Sequence, residues 1–209
     1  MAISELRQRL VSGILLGAVV IIFTIWNFWS FAAMCAVGFV ILLKEWWGLT
    51  KQRSRIFLPL GILYITAAIA SLLFLRAANI HILIALMVIV WTGDIAAYFV
   101  GKKFGKHKIA PAISPGKSWE GLAGSIIASA AMSAYLGNVA PIPHAILGAI
   151  FAVVGLGGDM FESALKRRAG VKDSGTLIPG HGGLFDRVDA LLPCAIFAAG
   201  ALYMRLHLQ

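Results

Sequence analysis

The chain has 209 residues, of which 60% are hydrophobic and only 13% are charged, and its mean hydropathy is +0.88. An ordinary soluble domain carries about 25% charged residues, so this composition excludes one. Several apolar runs reach the roughly 20 residues that a helix needs to cross a hydrocarbon core of about 30 Å. The sequence therefore predicts an all-α, polytopic transmembrane bundle that forms one domain over residues 1–209. The net charge of +9 does not indicate nucleic-acid binding, because membrane proteins gather lysine and arginine in their cytoplasmic loops.

Seven apolar segments are predicted to span the membrane. They cover residues 10–29, 30–49, 57–75, 80–100, 121–138, 143–164 and 188–206. With the N-terminus inside and the C-terminus outside, 16 of the 18 lysines and arginines fall on the cytoplasmic side, which favours this orientation. Residues 1–56 are predicted to form a hydrophobic hairpin, joined near Asn27–Ser30, that either crosses fully or turns back early. Residues 57–209 are then predicted to form the main bundle, which carries the two polar loops.

Six acidic side chains are predicted to meet at one depth on the cytoplasmic side. They are Asp94, Glu120, Asp159, Glu162, Asp186 and Asp189. Carboxylates in or near hydrocarbon cost about 2.5–3.5 kcal/mol each on insertion scales, so they normally face a cavity and have partners. Two pairs of these acids, at the end of the sixth span and the start of the seventh, are spaced i, i+3, which predicts one helix face for each pair. Such a cluster of hard oxygen ligands suits Mg²⁺, although each acid alone fits a helix cap or an ion pair equally well.

The first polar loop covers residues 101–120 and offers several donors to phosphate oxygens. Ser114, Lys117 and Ser118 carry hydroxyl and ammonium groups of the kind that bind phosphate. Ser118 is also predicted to cap the following helix, with Glu120 in the first turn. Free N–H groups at such a helix start attract anions. The other lysines of this loop are more typical of a basic loop that meets lipid headgroups.

The second polar loop covers residues 165–187 and lies in the most highly charged stretch of the chain. This stretch contains Lys166, Arg167, Arg168, Lys172, Asp173, His181, Asp186, Arg187 and Asp189. A membrane protein with only 9 acids has little reason to concentrate charge in this way, so the stretch predicts a site for a metal and a polyanion. His181 stands between glycines with no core to fill, which favours phosphate binding or proton transfer.

The residues from Ser163 to Asp189 also form a spaced pattern. Its positions are Ser163, Leu165, Lys166, Arg167, Lys172, Asp173, Gly175, Pro179, His181, Gly182, Gly183, Asp186, Arg187 and Asp189. In this pattern the chain resembles the phosphatidate cytidylyltransferase (CDP-diacylglycerol synthase) family. Three further stretches are similar to that family: Asp94–Tyr98, Ser114–Gly121 and Gly158–Ser163. The resemblance covers roughly residues 57–206.

The resemblance implies transfer of a cytidylyl group from CTP to phosphatidate, which yields CDP-diacylglycerol and pyrophosphate in phospholipid biosynthesis. The implied partners are CTP, phosphatidate and membrane lipid, and a homodimer is left open. A phosphate monoester is already a competent nucleophile at neutral pH, so positioning and electrostatics are expected to carry the catalysis. We expect an active site on the cytoplasmic side of a bacterial inner membrane.

On this resemblance the candidate site residues fall into three sets. Mg²⁺ is expected on Asp159, Asp186 and Asp189, and the family allows a second cation in the same cluster. The catalytic set adds Lys166, Arg167, Lys172, Asp173, His181 and Arg187, whose cations are expected to neutralise substrate phosphates. The substrate-binding set is Asp94, Ser114, Lys117, Ser118, Glu120 and Glu162.

Other functions remain open at this point. A cytidylyltransferase for another lipid phosphate would share these motifs, because the apolar surface that meets the lipid chains is generic. An inactive relative would share them too. A cation-coupled transporter would also carry acids within the membrane, but nearer the bilayer midplane and in repeated, interrupted helices. The CDP-alcohol phosphotransferases are disfavoured, because their motif needs an Asp-Gly pair and the chain has none.

Overall fold

The computed structural model describes residues 3–51, 56–138, 140–177 and 182–207. Within these residues the elements are α1 (Ile3–Trp26), α2 (Phe28–Thr50), α3 (Phe57–Ala78), α4 (Ile80–Phe104), β1 (Lys108–Ala110), β2 (Ser114–Ser118), α5 (Trp119–Leu136), α6 (Pro141–Ala169), α7 (Phe185–Val188) and α8 (Leu191–His207). Each of the seven predicted segments coincides with a helix. The protein is therefore mainly helical, as its composition predicted.

Four of these helices are long and apolar enough to cross a membrane: α2, α3, α4 and α6. Two more helical stretches, Gly17–Trp26 of α1 and the whole of α8, are apolar but shorter. These findings support an integral membrane protein. The count of seven spans and the orientation with the N-terminus inside stay predictions.

The junction of α1 and α2 is a break of a single residue. Asn27 has an extended backbone and its side chain accepts a hydrogen bond from the backbone N–H of Ser30 at 2.9 Å. The Ser30 hydroxyl accepts in return from the backbone N–H of Asn27 at 3.3 Å. This reciprocal capping starts α2 at once, so the predicted junction near Asn27–Ser30 is confirmed.

The first polar loop contains a β-hairpin, so the prediction of an all-α fold is wrong for this loop. Strands β1 and β2 pair antiparallel, with Lys108 opposite Ser118 and Ala110 opposite Ser114. A turn closed by a hydrogen bond from the Ile113 N–H to the Ala110 carbonyl joins them. Pro111 occupies the second position of this turn, where its fixed backbone angle is favoured. Periodicity could not show strands this short.

The chain divides into two compact units. The first unit is Met1–Ile80 with Leu165–Val188, and the second is His81–Ala164 with Asp189–Gln209. In the first, Trp46 is buried against Gly61, and its indole N–H donates to the Phe57 carbonyl at 2.9 Å. The predicted single domain over residues 1–209 stays a prediction.

Small side chains let the helices of the second unit pack closely. Ser125, Ser129 and Ser133 recur every fourth residue of α5 and are all buried. The Ser129 hydroxyl donates to the Ile89 carbonyl of α4 at 3.2 Å, and a Cβ at Gly93 would lie 2.8 Å from the Ser125 hydroxyl. Small residues at these positions bring backbones together in place of bulky apolar packing. The start of α5 is thereby held beside the polar end of α4.

Candidate active site

A cavity of about 480 Å³ lies in the second unit, within the size range of small-molecule sites. Its polar lining consists of Asp94, Lys102, Lys108, Lys117, Ser118 and Ser125. The rest of its wall is Ala97, Tyr98, Gly101, Gly105, Gly116, Gly121, Leu122, Ala152 and Leu156. The cavity thus combines three ammonium groups with glycine backbone and an apolar surface. This lining suits a phosphate-bearing ligand that also has an apolar or planar part.

Glycines bring the hairpin, α4 and α5 together around the Ser118 hydroxyl. A Cβ at Gly105 would lie 2.6 Å from this oxygen, and one at Gly101 would lie 3.3 Å from it. The hydroxyl accepts a hydrogen bond from the Gly121 N–H at 3.1 Å, which makes Ser118 the N-cap of α5. The predicted cap is confirmed. It also places Ser118 in the cavity wall.

Lys117 is the centre of a group of charges that we call the Lys117 cluster: Lys117, Asp94, Asp159 and Asp189. The Lys117 ammonium forms an ion pair with the Asp159 carboxylate. Burial is the largest single effect on the pKa of Lys117 and lowers it, but the charges of Asp159, Asp94 and Asp189 together outweigh burial and raise it. Lys117 therefore stays protonated at neutral pH. Asp159 also accepts a hydrogen bond from the Ser163 hydroxyl at 3.2 Å.

Gly158 determines how closely Asp189 approaches α6. A Cβ at Gly158 would overlap the carbonyl oxygen of Asp189, so only glycine allows this backbone contact. The Asp189 carboxylate accepts from the Ala190 N–H at 2.8 Å. Burial, and then the neighbouring charge of Asp159, raise the pKa of Asp189 above its ordinary value. A positively charged partner would therefore stabilise the ionised carboxylate of Asp189.

The predicted pairing of Asp186 and Asp189 on one helix face is wrong. Asp186 lies in α7, which ends at Val188, and Asp189 lies in the turn that follows. The i, i+3 spacing implies a shared face only where the helix continues through both residues.

The contacts of the acids test whether they fit a metal ion. Among the described residues, no three His, Cys, Asp or Glu side chains are grouped closely enough to hold a metal as they stand. Asp94, Asp159 and Asp189 supply the oxygen donors that Mg²⁺ prefers, and at present the Lys117 ammonium occupies the place beside Asp159. Their donor chemistry fits a divalent cation. Asp186 does not fit, because both of its oxygens are already engaged.

Asp186 organises the second polar loop in the first unit. One oxygen accepts from the Lys166 ammonium at 2.6 Å. The other accepts from the Ser174 N–H and the Gly183 N–H, each at 2.8 Å, and lies 2.9 Å from the Ser174 hydroxyl. Gly182 has a φ of +82°, a conformation that favours glycine. Asp186 is thus a loop-forming residue whose ion-pair partner is Lys166.

Glu120 pairs with a residue to which the sequence assigned no role. Its carboxylate lies 2.6 Å from His107 Nδ1 and accepts from the His107 backbone N–H at 3.2 Å. The neighbouring Lys117 pairs with Asp159 instead. Glu120 therefore links α5 to the start of the hairpin.

Glu45 is the residue that the sequence interpretation missed. It lies on α2, it is 8% exposed, and its carboxylate accepts from the Leu184 and Phe185 N–H groups, each at 2.8 Å. The signal was present, because an acid inside an apolar helix is costly and needs partners. Tyr98, Lys102 and Lys108 of the cavity wall were also not assigned to the site.

The remaining candidate residues differ in exposure. Arg167, Lys172, Asp173 and Arg187 have exposed side chains, Ser114 is half-buried at the start of β2, and Glu162 is 1% exposed on α6. His181 lies outside the described residues. Its predicted role stays a prediction.

Comparison with known proteins gives a consistent result. The model of the cytidylyltransferase family matches residues 51–205. A phosphatidate cytidylyltransferase of Pseudomonas aeruginosa is 39% identical over 195 residues, which cover 88% of this chain and 69% of the relative. Proteins of the same name from Brucella suis and Bacillus subtilis are 33% and 48% identical, over 82% and 50% of this chain.

The chain spans 67% of the Brucella protein and 41% of the Bacillus protein. The family match alone covers residues 51–205, well over half of the sequence. The predicted family and the predicted enzyme class, a nucleotidyltransferase, are both confirmed. The chain belongs to the cytidylyltransferase family.

Proposed function

We propose that this chain transfers the cytidylyl group of CTP to phosphatidate, with CDP-diacylglycerol and pyrophosphate as products. Its relatives carry the name phosphatidate cytidylyltransferase. The observation that carries the proposal is the Lys117 cluster at the wall of a cavity with two further lysines. Three ammonium groups, one of them paired with a carboxylate, suit a reaction between two phosphate-bearing substrates, because they offset the repulsion between the substrates.

The cavity chemistry supports a role in phosphate binding. Lys102, Lys108 and Lys117 supply the positive charge, and glycines at the wall allow a ligand to approach the backbone closely. Ser118 stands at the N-terminus of α5, where the helix dipole favours an anion. We propose that this cavity binds a phosphate group of a substrate.

In the reaction, a phosphate oxygen of phosphatidate attacks the α-phosphorus of CTP. A new P–O bond forms, the bond from the α-phosphorus to the bridging oxygen breaks, and pyrophosphate leaves with that electron pair. Lys117, whose pKa the neighbouring aspartates raise, offsets negative charge near the reacting phosphates. The family resemblance assigns the same task to Lys166, Arg167, Lys172 and Arg187 of the first unit, with Asp173 and His181 in the same loop.

We propose Asp159 and Asp189, with Asp94, as the residues that hold Mg²⁺. The ion, when bound, neutralises phosphate charge and orients the two substrates. The raised pKa of Asp189 supports this assignment, because a divalent cation would satisfy a carboxylate that burial and Asp159 disfavour. Asp186 is left out, because Lys166, Ser174 and Gly183 engage it.

The proposed location is the bacterial inner membrane, with the active site on the cytoplasmic side. The excess of lysine and arginine in the loops assigned to that side supports it. CTP is present in the cytoplasm, and the phosphate of phosphatidate lies at headgroup depth, so both substrates meet at this face.

The proposal is tested by reconstituting the purified chain in liposomes with Mg²⁺ and CTP radiolabelled on its α-phosphate. Label should enter the lipid fraction only when phosphatidate is present. If label enters the lipid with another lipid phosphate as acceptor but not with phosphatidate, the chain is a cytidylyltransferase for that other lipid, and the proposal is wrong. No labelled lipid with any acceptor, together with cation-driven uptake, would favour a transporter and contradict the proposal.

A further inference from the structure

The geometry points to Glu45 as a positioning residue that holds Ser174 and residues 183–185 of the second polar loop in place. Glu45 lies on α2, far in sequence from that loop and outside residues 51–205, which match the family model. The inference rests on the proposed function, in which the loop supplies cations to substrate phosphate. It concerns the first unit alone.

Two described parts of the loop, at Ser174 and at residues 183–185, meet at the Glu45 carboxylate. The N–H groups of Leu184 and Phe185 each donate to it at 2.8 Å, and the Ser174 hydroxyl lies 3.1 Å from it. A Cβ at Gly183 would lie 2.6 Å from both carboxylate oxygens, so the glycine leaves the space that the carboxylate needs. Hydrogen bonds of N–H groups to a carboxylate are stronger than those to a neutral acceptor.

The Ser174 hydroxyl connects Glu45 to the charged residues of the loop. It lies 3.1 Å from the Glu45 carboxylate and 2.9 Å from that of Asp186. Asp186 in turn accepts from the Lys166 ammonium at 2.6 Å. Lys166 is one of the cations proposed to neutralise substrate phosphate. Its orientation therefore depends, through Asp186 and Ser174, on the Glu45 carboxylate of α2.

Packing next to Glu45 fixes the same segment. Phe185 is 1% exposed, and its ring lies 6.1 Å from that of Trp46, the residue that follows Glu45. Two adjacent residues of α2 thus contact Phe185. The Glu45 carboxylate accepts from the Phe185 N–H, and the Trp46 ring packs against the Phe185 ring. A helix lying within the bundle gives the loop a rigid support.

The test compares Glu45→Gln with Thr50→Ala as a matched control. The glutamine NH₂ cannot accept from an N–H group, so one of the two backbone bonds is lost. Thr50 is a buried polar residue of the same helix, but its hydroxyl donates to the Trp46 carbonyl at 2.8 Å. The control removes a buried hydrogen bond within α2 and no hydrogen bond to the loop.

We expect Glu45→Gln to lower kcat by roughly tenfold or more, since losing charged hydrogen bonds has effects of this order. The KM for CTP should change less than about threefold, because loop cations that act on the leaving pyrophosphate affect kcat first. Thr50→Ala should leave both constants near the wild-type values. Equal kcat losses in the two variants, or no loss in Glu45→Gln, would overturn the inference.

Amide hydrogen exchange tests the positioning role without any substrate. Exchange at Gly183–Phe185 should be faster in Glu45→Gln than in Thr50→Ala, and Ser174→Ala should shift it in the same direction if Glu45→Gln does not insert. Equal exchange in variant and control contradicts the positioning role. Because this measurement is independent of turnover, its result distinguishes an error about Glu45 from an error about the reaction.

Discussion

Gly157 and Gly158 are neighbours on α6 with opposite surroundings. A Cβ at Gly158 would overlap the Asp189 carbonyl and lie 2.6 Å from the Pro193 ring, whereas a Cβ at Gly157 would meet no atom within 4 Å. Alanine at Gly157 therefore shows only the general effect of the substitution on the helix, whereas alanine at Gly158 also disturbs packing. Only Gly158 bears on the spacing between Asp159 and Asp189.

We expect Gly158→Ala to lower CDP-diacylglycerol formation by at least about tenfold, because the backbone shift needed to fit a methyl group costs about 1–3 kcal/mol and moves Asp189. Gly157→Ala should retain near wild-type turnover. The two variants should be assayed side by side in the same liposomes. Equal activity would show that the close contact at Gly158 does not position the site.

The acids of the chain show how far residue types alone predict a site. Asp159 and Asp189 were assigned to one site from their common depth at the cytoplasmic side and from the family resemblance, and the charges of both raise the pKa of Lys117. The role of Asp186 in the loop was not predictable, because it depends on Ser174 and Gly183 turning their N–H groups toward it. Glu45 was overlooked for a similar reason, since its partners lie about 130 to 140 residues away in the chain.

At the scale of the elements, the hairpin and the start of α5 position the cavity wall. The positions of the long helices were predictable, because apolar runs of spanning length leave few alternatives. The hairpin was not, because its strands have three and five residues and are defined by pairing rather than by alternation. Ser118 was recognisable as a cap from its place ahead of the apolar run.

The cap gives a prediction about stability. Ser118→Ala removes the acceptor for the Gly121 N–H and should destabilise the fold by about 1 kcal/mol. For a chain of this length that corresponds to a fall in Tm of roughly 2–4 °C, measured on detergent-solubilised protein. Ser114→Ala, at the other end of β2, is the control and should leave Tm nearly unchanged. A fall of the same size in both variants would argue against the cap.

At the scale of the whole molecule, the number and orientation of the spanning helices determine on which side of the membrane the proposed active site lies. In the described part of the chain, four helices meet the length and composition of a span, and α5 and α8 are shorter, with 18 and 17 residues. Short helices of this kind are accommodated by local thinning of the bilayer or by flanking polar residues. The sequence predicted their positions but could not determine their depth.

Orientation can be measured with single cysteines. The native Cys35 and Cys194 are buried, so they should contribute little background to labelling. We expect Lys106→Cys to react with a membrane-impermeant maleimide only in inside-out vesicles, and Asn79→Cys only in intact cells. The reverse pattern would place the proposed active site on the wrong side for CTP.

The most direct test of the proposed chemistry is CDP-diacylglycerol formation by Asp159→Asn and Asp189→Asn. Each variant should be purified and reconstituted like the wild type, with membrane insertion and Tm measured as controls for folding. If the Lys117 cluster holds Mg²⁺ and is the centre of cytidylyl transfer, both variants should insert normally and lose at least about 100-fold in turnover, the scale of losing a group that stabilises transition-state charge. Near-normal turnover in both would contradict that role.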